Sequence, residues 1–282
     1  MFIVNPSTLY IVATPIGDMN DITLRAKQVL ASVDCIAAED TRHSGRLLNA
    51  LQIQKPMISL HDHNEQERAL QLCTRLQQGQ SIALISDAGT PLISDPGYKL
   101  VQLLQQAHIA IVPIPGACAA ITALCASGLP TDRFVFEGFL PAKSTARQHA
   151  LLPLKEETRT LIFYEAPHRL LDTLADLCLV FGATRRATVA RELTKHYETI
   201  YAQTLGELSQ HFIQTPTELK GEVVLMVHGY RKEVTADVTE QATRAFHVLA
   251  AHFPVKQAVQ LAAEISGESK NKIYAWAVTL HK

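Results

Sequence analysis

Short apolar runs recur through the first 116 positions, and each is followed by a stretch in which apolar residues return every three or four positions. The runs cover residues 9–13, 35–38, 57–60, 81–86 and 109–114. Between the third and fourth, residues 64–78 put Ala69, Leu72, Cys73 and Leu76 on one helical face and Glu65, Glu67, Arg68 and Gln77 on the other. Strand-length runs that alternate with amphipathic helices predict parallel βαβ units.

The rhythm then changes. Runs at 134–139 and 161–164 predict strands, and 170–180 a helix stopped by Gly182. Three runs follow close together, at 187–192, 199–203 and 223–227, with one short helix at 205–212 between the last two. Strands spaced so tightly leave little room for crossovers and imply antiparallel pairing within a mixed sheet. The last 50 residues read as helices at 239–252, 255–265 and 269–280, with Pro254 at a first-turn position, Gly267 as a C-terminal cap and Ser269 as an N-cap. Three short helices with a tight Gly turn resemble a helix-turn-helix. The pattern divides the chain into a parallel α/β domain (1–117), a mixed-sheet α/β domain (118–231) and a helical unit (232–282), with the first boundary in the Gly/Pro-rich stretch 113–128.

Composition narrows the classes. In 282 residues, 47% are hydrophobic and 19% charged, enough to bury a core and too apolar for a disordered chain. No run approaches the roughly 20 apolar residues of a membrane span and the first residues lack a secretory pattern, so a cytoplasmic location is expected. Five cysteines without CxxC spacing signal neither a disulfide framework nor zinc, and no metal is expected. Net charge is −1 overall: −2 in residues 1–118, −1 in 119–230 and +2 in 231–282. Composition therefore gives no independent support for a nucleic-acid partner.

Chemistry is concentrated in the loops after the strands of the first unit. ATPIGD (13–18), AEDTRHSG (38–45), SDAGTPLISDPG (86–97) and PIPGACAA (113–120) all leave strand carboxyl ends, where open parallel sheets bind their ligands. GxGxxG and GxxxxGK[ST] are absent, which argues against a dinucleotide or a phosphate-loop nucleotide. Gly- and Pro-rich turns expose main-chain groups to a ligand held by backbone contacts and an apolar slot. Asp87 and Asp95 suit an amine, a ribose hydroxyl or a cation, or else cap helices. His61 and His63 lack a third metal ligand nearby and read as ordinary loop residues.

Six segments together resemble the tetrapyrrole methylase superfamily, and most closely its branch that acts on ribosomal RNA: LYIVATPIGDMNDITLRA, AEDTRHSGRLL, SDAGTPLISDPG, PGACAAITAL, YEAPHR (164–169) and VARELTKHYE (189–198). The resemblance runs in order along nearly the whole chain. It implies a two-domain, class III methyltransferase fold with a small C-terminal helical unit, S-adenosyl-L-methionine bound in a cleft between two α/β domains, and a homodimer. The implied activity is 2′-O-ribose methylation of a cytidine in 16S rRNA, with the small ribosomal subunit as the partner and no membrane involved. Positions matching the family's cofactor contacts are Pro15, Asp87, Gly89, Thr90, Pro91, Ala119, Ala120, Tyr164, Ala190, Arg191, Gly221 and Glu222. A cofactor without phosphates accounts for the missing phosphate loop.

Methyl transfer to a ribose hydroxyl is an in-line displacement helped by alignment and by a group that takes or stabilises the departing proton's charge. Glu39, Asp40, Glu192 and Lys195 lie in the two polar motifs at strand ends. Lys195 is expected as the basic or pKa-lowering group and Glu39 as its acidic counterpart, with Glu192 beside them; alternatively Glu39, Asp40 and Arg42 form a local cluster that caps a helix. RNA contacts are expected from Arg42 and Arg46 at the cleft mouth, Lys143 and Arg147 in PAKSTARQ, and Lys256, Lys270 and Lys272 in the terminal helices. Two other readings fit parts of the pattern: a methylase of small tetrapyrroles, and a non-catalytic RNA-binding module of ribosome assembly.

Overall fold

The structure is a computed structural model of the chain and describes residues 4–231 and 238–279. It has two compact units, Met1–Tyr230 and Arg231–Lys282. The first contains two five-stranded sheets.

Strands β1 (Thr8–Val12), β2 (Cys35–Ala38), β3 (Met57–Ser59), β4 (Ile82–Ile85) and β5 (Ala110–Ile114) form the first sheet in the order β3-β2-β4-β1-β5, all parallel. The central strands β2 and β4 are buried at every position, since helices cover both faces. Alternate residues feed two cores. Tyr10, Val12, Ile36, Ala38, Ala83 and Ile85 join Val29 and Leu30 on one side. Leu9, Cys35, Ala37, Ile82 and Leu84 join Leu72, Leu76, Leu100 and Leu104 on the other. Strand order reverses between β4 and β1: the chain leaves β1 toward β2 and leaves β4 toward β5. That opens a crevice at their carboxyl ends.

β6 (Phe134–Phe139), β7 (Thr160–Glu165), β8 (Arg186–Arg191), β9 (Thr199–Thr204) and β10 (Val223–Val227) form the second sheet in the order β6-β7-β10-β8-β9. β6 and β7 run parallel, joined through the helix Ser144–Leu151. The remaining pairs are antiparallel, as the tight spacing after Gly182 requires. One face packs on the helices Leu170–Phe181 and Leu205–Gln214. On the other, Ile162, Ala190, Val224 and Met226 meet Ala120, Ala123 and Leu124 of the helix Ala119–Ala126 and Ile16 from the loop after β1. Loops of the first half thus close against the second sheet.

The Arg231–Lys282 unit contains the helices Glu240–Ala250, Val255–Ser266 and Lys270–Thr279. Thr239 caps the first through Ala242 N, and Gly267, with φ of +71°, ends the second. Its core is Phe246, Val259, Ile273 and small alanines, with Trp276 edge-on to Phe246 at 5.4 Å. No helix of the described residues is long and apolar enough to cross a membrane.

Candidate functional site

The loops after β1 and β4 are stapled to each other: Thr14 N donates to Gly89 O (2.8 Å) and Gly89 N to Thr14 O (3.1 Å). Gly89 reaches this position with φ of +78°, a conformation a side chain would strain. Thr90 Oγ1 donates to Ala117 O (2.9 Å), tying the same loop to the one after β5. The far end of the long loop is fixed by Glu65, which the periodicity placed on a polar helical face but which is buried. Gly97 has no side chain to cap the helix Tyr98–Gln106, and Glu65 Oε1 accepts from Gly97 N and Lys99 N, each at 2.9 Å, in its place. The pattern at 64–78 marks the helix that Glu65 opens. It does not mark the partner of Glu65, which lies 32 residues further along.

Between these loops and the second sheet lies a cavity of about 440 Å³. Its walls include Asp87, Gly89, Thr90 and Ala119 from the first half and Tyr164, Ala190, Gly221 and Glu222 from the second, together with Glu39. Nine of the residues expected at the site are therefore brought together. Pro15, Pro91, Ala120 and Arg191 stand outside the lining. Ala120 N donates to Tyr164 Oη (3.3 Å) and so places the tyrosine. Arg191 points to the opposite face of the sheet from Ala190: its Nε donates to Glu218 O (2.6 Å) and its Nη1 to Thr199 Oγ1 (3.0 Å). Its side chain thus corrects the expectation of a cofactor contact.

The first-half wall is acidic. Glu39 is half-buried at the end of β2; burial, then the charges of Asp95 and Asp87, push its pKa up to about 7. Asp95 is raised to about 6, by burial first and then by Asp87 and Asp62, against a hydrogen bond from Ser86. Asp40 instead turns outward. It accepts from Arg42 N (2.8 Å), capping the helix Thr41–Ala50, and pairs with the exposed Arg42 side chain, which holds its pKa down to about 2.

The expected pairing of Lys195 with Glu39 is corrected by the structure. Lys195 Nζ contacts Glu192 Oε1 (3.0 Å) and Glu222 Oε2 (3.1 Å). Burial works against its charge, but these two carboxylates win and raise its pKa, so it is a fixed cation rather than a base. Glu192 also accepts from Glu222 N (2.9 Å); burial opposes its ionisation, and Lys195 with that N–H holds its pKa below the ordinary value. Sequence spacing does not reveal this arrangement, since Glu222 lies 30 residues from Glu192 in the segment that enters β10. The clamp is tight: a Cβ on Gly221 would lie 1.9 Å from Glu192 Oε1. Glu192 (φ 52°) and Thr194 (φ 64°), like Leu92 (φ 73°) and Ser94 (φ 68°) across the cleft, hold left-handed backbone. Such strain clusters where the surroundings over-determine a functional loop.

Of the residues expected to meet RNA, Arg42, Arg46, Lys143, Lys256 and Lys270 are exposed, and Lys272 pairs with Glu268 (3.1 Å). Arg147 is a correction. It is 2% exposed and its Nε bonds Asp176 Oδ2 at 2.6 Å, so its guanidinium is committed to the interior of the second half. Among the described residues no group of three or more His, Cys, Asp or Glu is placed to hold a metal ion.

Two family models match the chain, Tetrapyrrole (Corrin/Porphyrin) Methylases over residues 8–209 and RsmI C-terminal HTH domain over residues 236–281. The chain is 56% identical to Ribosomal RNA small subunit methyltransferase I of Pasteurella multocida, over 96% of each chain. It is 54% identical to the protein of the same name from Escherichia coli O157:H7, over 96% of this chain and 94% of that one. Among solved structures, diphthine synthase superposes with a TM-score of 0.62 at 14% identity, covering 79% of this chain and 90% of its own. A uroporphyrin-III C-methyltransferase from Thermus thermophilus complexed with S-adenyl homocysteine gives 0.54 at 17% identity, covering 78% and 97%. At those identities the structures share the fold.

Proposed function

We propose, because the chain belongs to the tetrapyrrole methylase family and within it to the ribosomal RNA small subunit methyltransferase I group, that it transfers a methyl group from S-adenosylmethionine to the 2′-oxygen of a cytidine ribose in 16S rRNA. The observation that carries the reading is a switch-point cleft walled by main-chain groups and carboxylates, on a chain more than half identical to rRNA methyltransferases along nearly its full length. The acceptor is the small ribosomal subunit in the cytoplasm, and the enzyme works as a homodimer.

The residues fit the donor. It carries a sulfonium and an ammonium and no phosphate, which suits the carboxylate of Asp87 and the exposed backbone around Gly89 better than any phosphate loop. A cavity of about 440 Å³ is within the usual range for a ligand of that size. When bound, the donor supplies an activated methyl group.

The chain's own contribution is alignment and proton handling. Asp87, Thr90 and Ala119 on one side and Tyr164, Ala190 and Gly221 on the other hold the donor in a fixed pose, from which much of the acceleration comes. Glu39, with its pKa near neutrality, receives the proton of the ribose hydroxyl. Lys195, bonded to Glu192 and Glu222, keeps the rim of the cleft in place. The terminal helices, with Lys256, Lys270 and Lys272, and the exposed Arg42, Arg46 and Lys143 engage the RNA backbone.

The test is to incubate the protein with S-[methyl-³H]adenosylmethionine and small subunits from cells lacking the modification. The expected result is label in 16S rRNA that digests to 2′-O-methylcytidine. Label on the base, label only in a tetrapyrrole offered alongside, or no transfer overturns the reading.

A further inference from the structure

β6 is an edge strand, and its pairing with β7 slips by one residue. Phe136 lies opposite Ile162, but Gly138 lies opposite Phe163 and Phe139 opposite Tyr164, leaving Glu137 as the extra residue of a bulge. Without the slip, Phe139 would alternate onto the face away from the cleft. With it, Phe139 shares the face of Ile162 and Tyr164, because one inserted residue inverts the alternation. Gly138 makes the turn possible with φ of +67°, and a Cβ there would sit 3.2 Å from Ser94 Oγ on the opposing loop.

The cost of this device is an aromatic ring left in water. Phe139 is 56% exposed at the mouth of the cavity it helps to line. Tyr164 meets it edge-on at 5.6 Å and is itself backed by Phe136 at 4.9 Å, so the ring is held in orientation while much of its surface stays open. Ile93, 37% exposed on the facing loop, extends the apolar rim. The bulge and its left-handed glycine thus fix a phenyl ring at the rim of the cavity with a flat apolar face open to a ligand. Asp95, two residues after Ile93, brings a half-buried carboxylate to the same cavity and acts on Tyr164 electrostatically. An ionised carboxylate only accepts hydrogen bonds, so it selects an N–H edge over a carbonyl edge.

We propose that the mouth of the cleft is a nucleobase subsite in which Phe139 stacks on the base of the acceptor nucleotide and Asp95 accepts a hydrogen bond from the exocyclic amino group of that base. This rests on the rRNA-methylation reading above and supplies that reading with a physical basis for cytidine: cytosine carries an amino group where uracil presents an oxygen. Stacking holds an unpaired base over the cleft, the position in which single-stranded RNA is read by proteins.

Three measurements separate the subsite from the donor site and from simple misfolding. Phe139→Ala should lower kcat/KM for unmodified small subunits about tenfold to hundredfold, the effect of losing one stacked base. Phe139→Trp should stay close to wild type, and the Kd for S-adenosylhomocysteine by calorimetry should change less than about twofold in both. Asp95→Asn, which presents an N–H as well as an oxygen, should shrink the preference for subunits carrying cytidine over those reconstituted with uridine at the methylated position by about tenfold. The subsite is overturned if Phe139→Ala keeps wild-type kcat/KM, if either Ala or Asn weakens S-adenosylhomocysteine binding as much as it weakens turnover, or if the cytidine preference survives in Asp95→Asn. Failure of the wild-type protein to label RNA overturns the function itself and is read before any variant.

Discussion

The two walls of the cleft are built on opposite electrostatic terms. From the first sheet come Glu39, Asp87 and Asp95, and among the described residues none of the three forms an ion pair. From the second come Glu222, bonded like Glu192 to Lys195, and the rings of Phe139 and Tyr164. Burial first, and then the like charges nearby, raise Glu39 to about 7 and Asp95 to about 6. Glu192, beside Lys195, is instead held below the ordinary value although burial opposes it, and serves as a strut. On the proposed mechanism, proton chemistry falls to the first wall and positioning to the second.

The largest expected effect breaks the first wall. Glu39→Gln should lower kcat about a hundredfold to ten-thousandfold, the usual worth of a general base, with S-adenosylhomocysteine affinity nearly unchanged. In the wild-type protein log kcat should climb with unit slope and level off above about pH 7, where Glu39 loses its proton. That ascending limb should vanish in the variant; a single-turnover profile that keeps it would move the proton acceptor elsewhere. Stability should respond the opposite way. The folded protein binds a proton at Glu39 up to about pH 7, whereas the ordinary value is 4.5. The residue's contribution is therefore full below pH 4.5 and is lost as the pH rises to about 7. Denaturant melts at pH 8 should find Glu39→Gln the more stable by on the order of 1 kcal/mol, a figure already reduced for partial exposure to solvent.

A smaller loss tests whether the second wall is rigid. In Gly221→Ala the new methyl would occupy the place of the Glu192 carboxylate, and the backbone, at φ of +81°, would cost roughly 1–2 kcal/mol for any side chain. Glu192 has to swing away, and its bonds to Lys195 and Glu222 go with it. About a tenfold rise in the Kd for S-adenosylhomocysteine is expected, with a lowered Tm. Retention of wild-type affinity would mean that the rim tolerates a rearranged clamp and that the second wall is softer than its ion pairs imply.

The same contrast explains what was legible in the sequence. Every expected strand is present, because central strands such as β2 and β4 are apolar at each position and their loops are marked by Gly and Pro. The first wall was readable too: its residues come directly after parallel strands, so topology alone converges Glu39, Asp87 and Gly89 on one crevice. The second wall depends on register and on distant partners. Nothing in EGFLPAK distinguishes a bulge from a regular strand, and so Phe139 went unnoticed. Arg147 looked like one more surface cation until the helices Ser144–Leu151 and Leu170–Phe181 enclosed it with Asp176. Lys195 lay three residues from Glu192, but its second partner, Glu222, is contributed by the segment that enters β10, which pairs antiparallel to β8.

The smallest effect belongs to the residue the sequence made most prominent. Lys195→Ala removes a cation whose pKa is raised by Glu192 and Glu222, so no proton acceptor is lost with it at neutral pH. Glu192 keeps the N–H of Glu222, and Glu222 is largely exposed, so water takes over part of the lost pairing. Turnover should fall less than about fivefold, donor affinity should weaken by a similar factor, and the limb near pH 7 should stay where it is, because the charges that set the Glu39 pKa are on the other wall. A drop beyond a hundredfold with normal donor binding would instead give Lys195 a direct part in the chemistry, and the division of labour between the two walls would no longer hold.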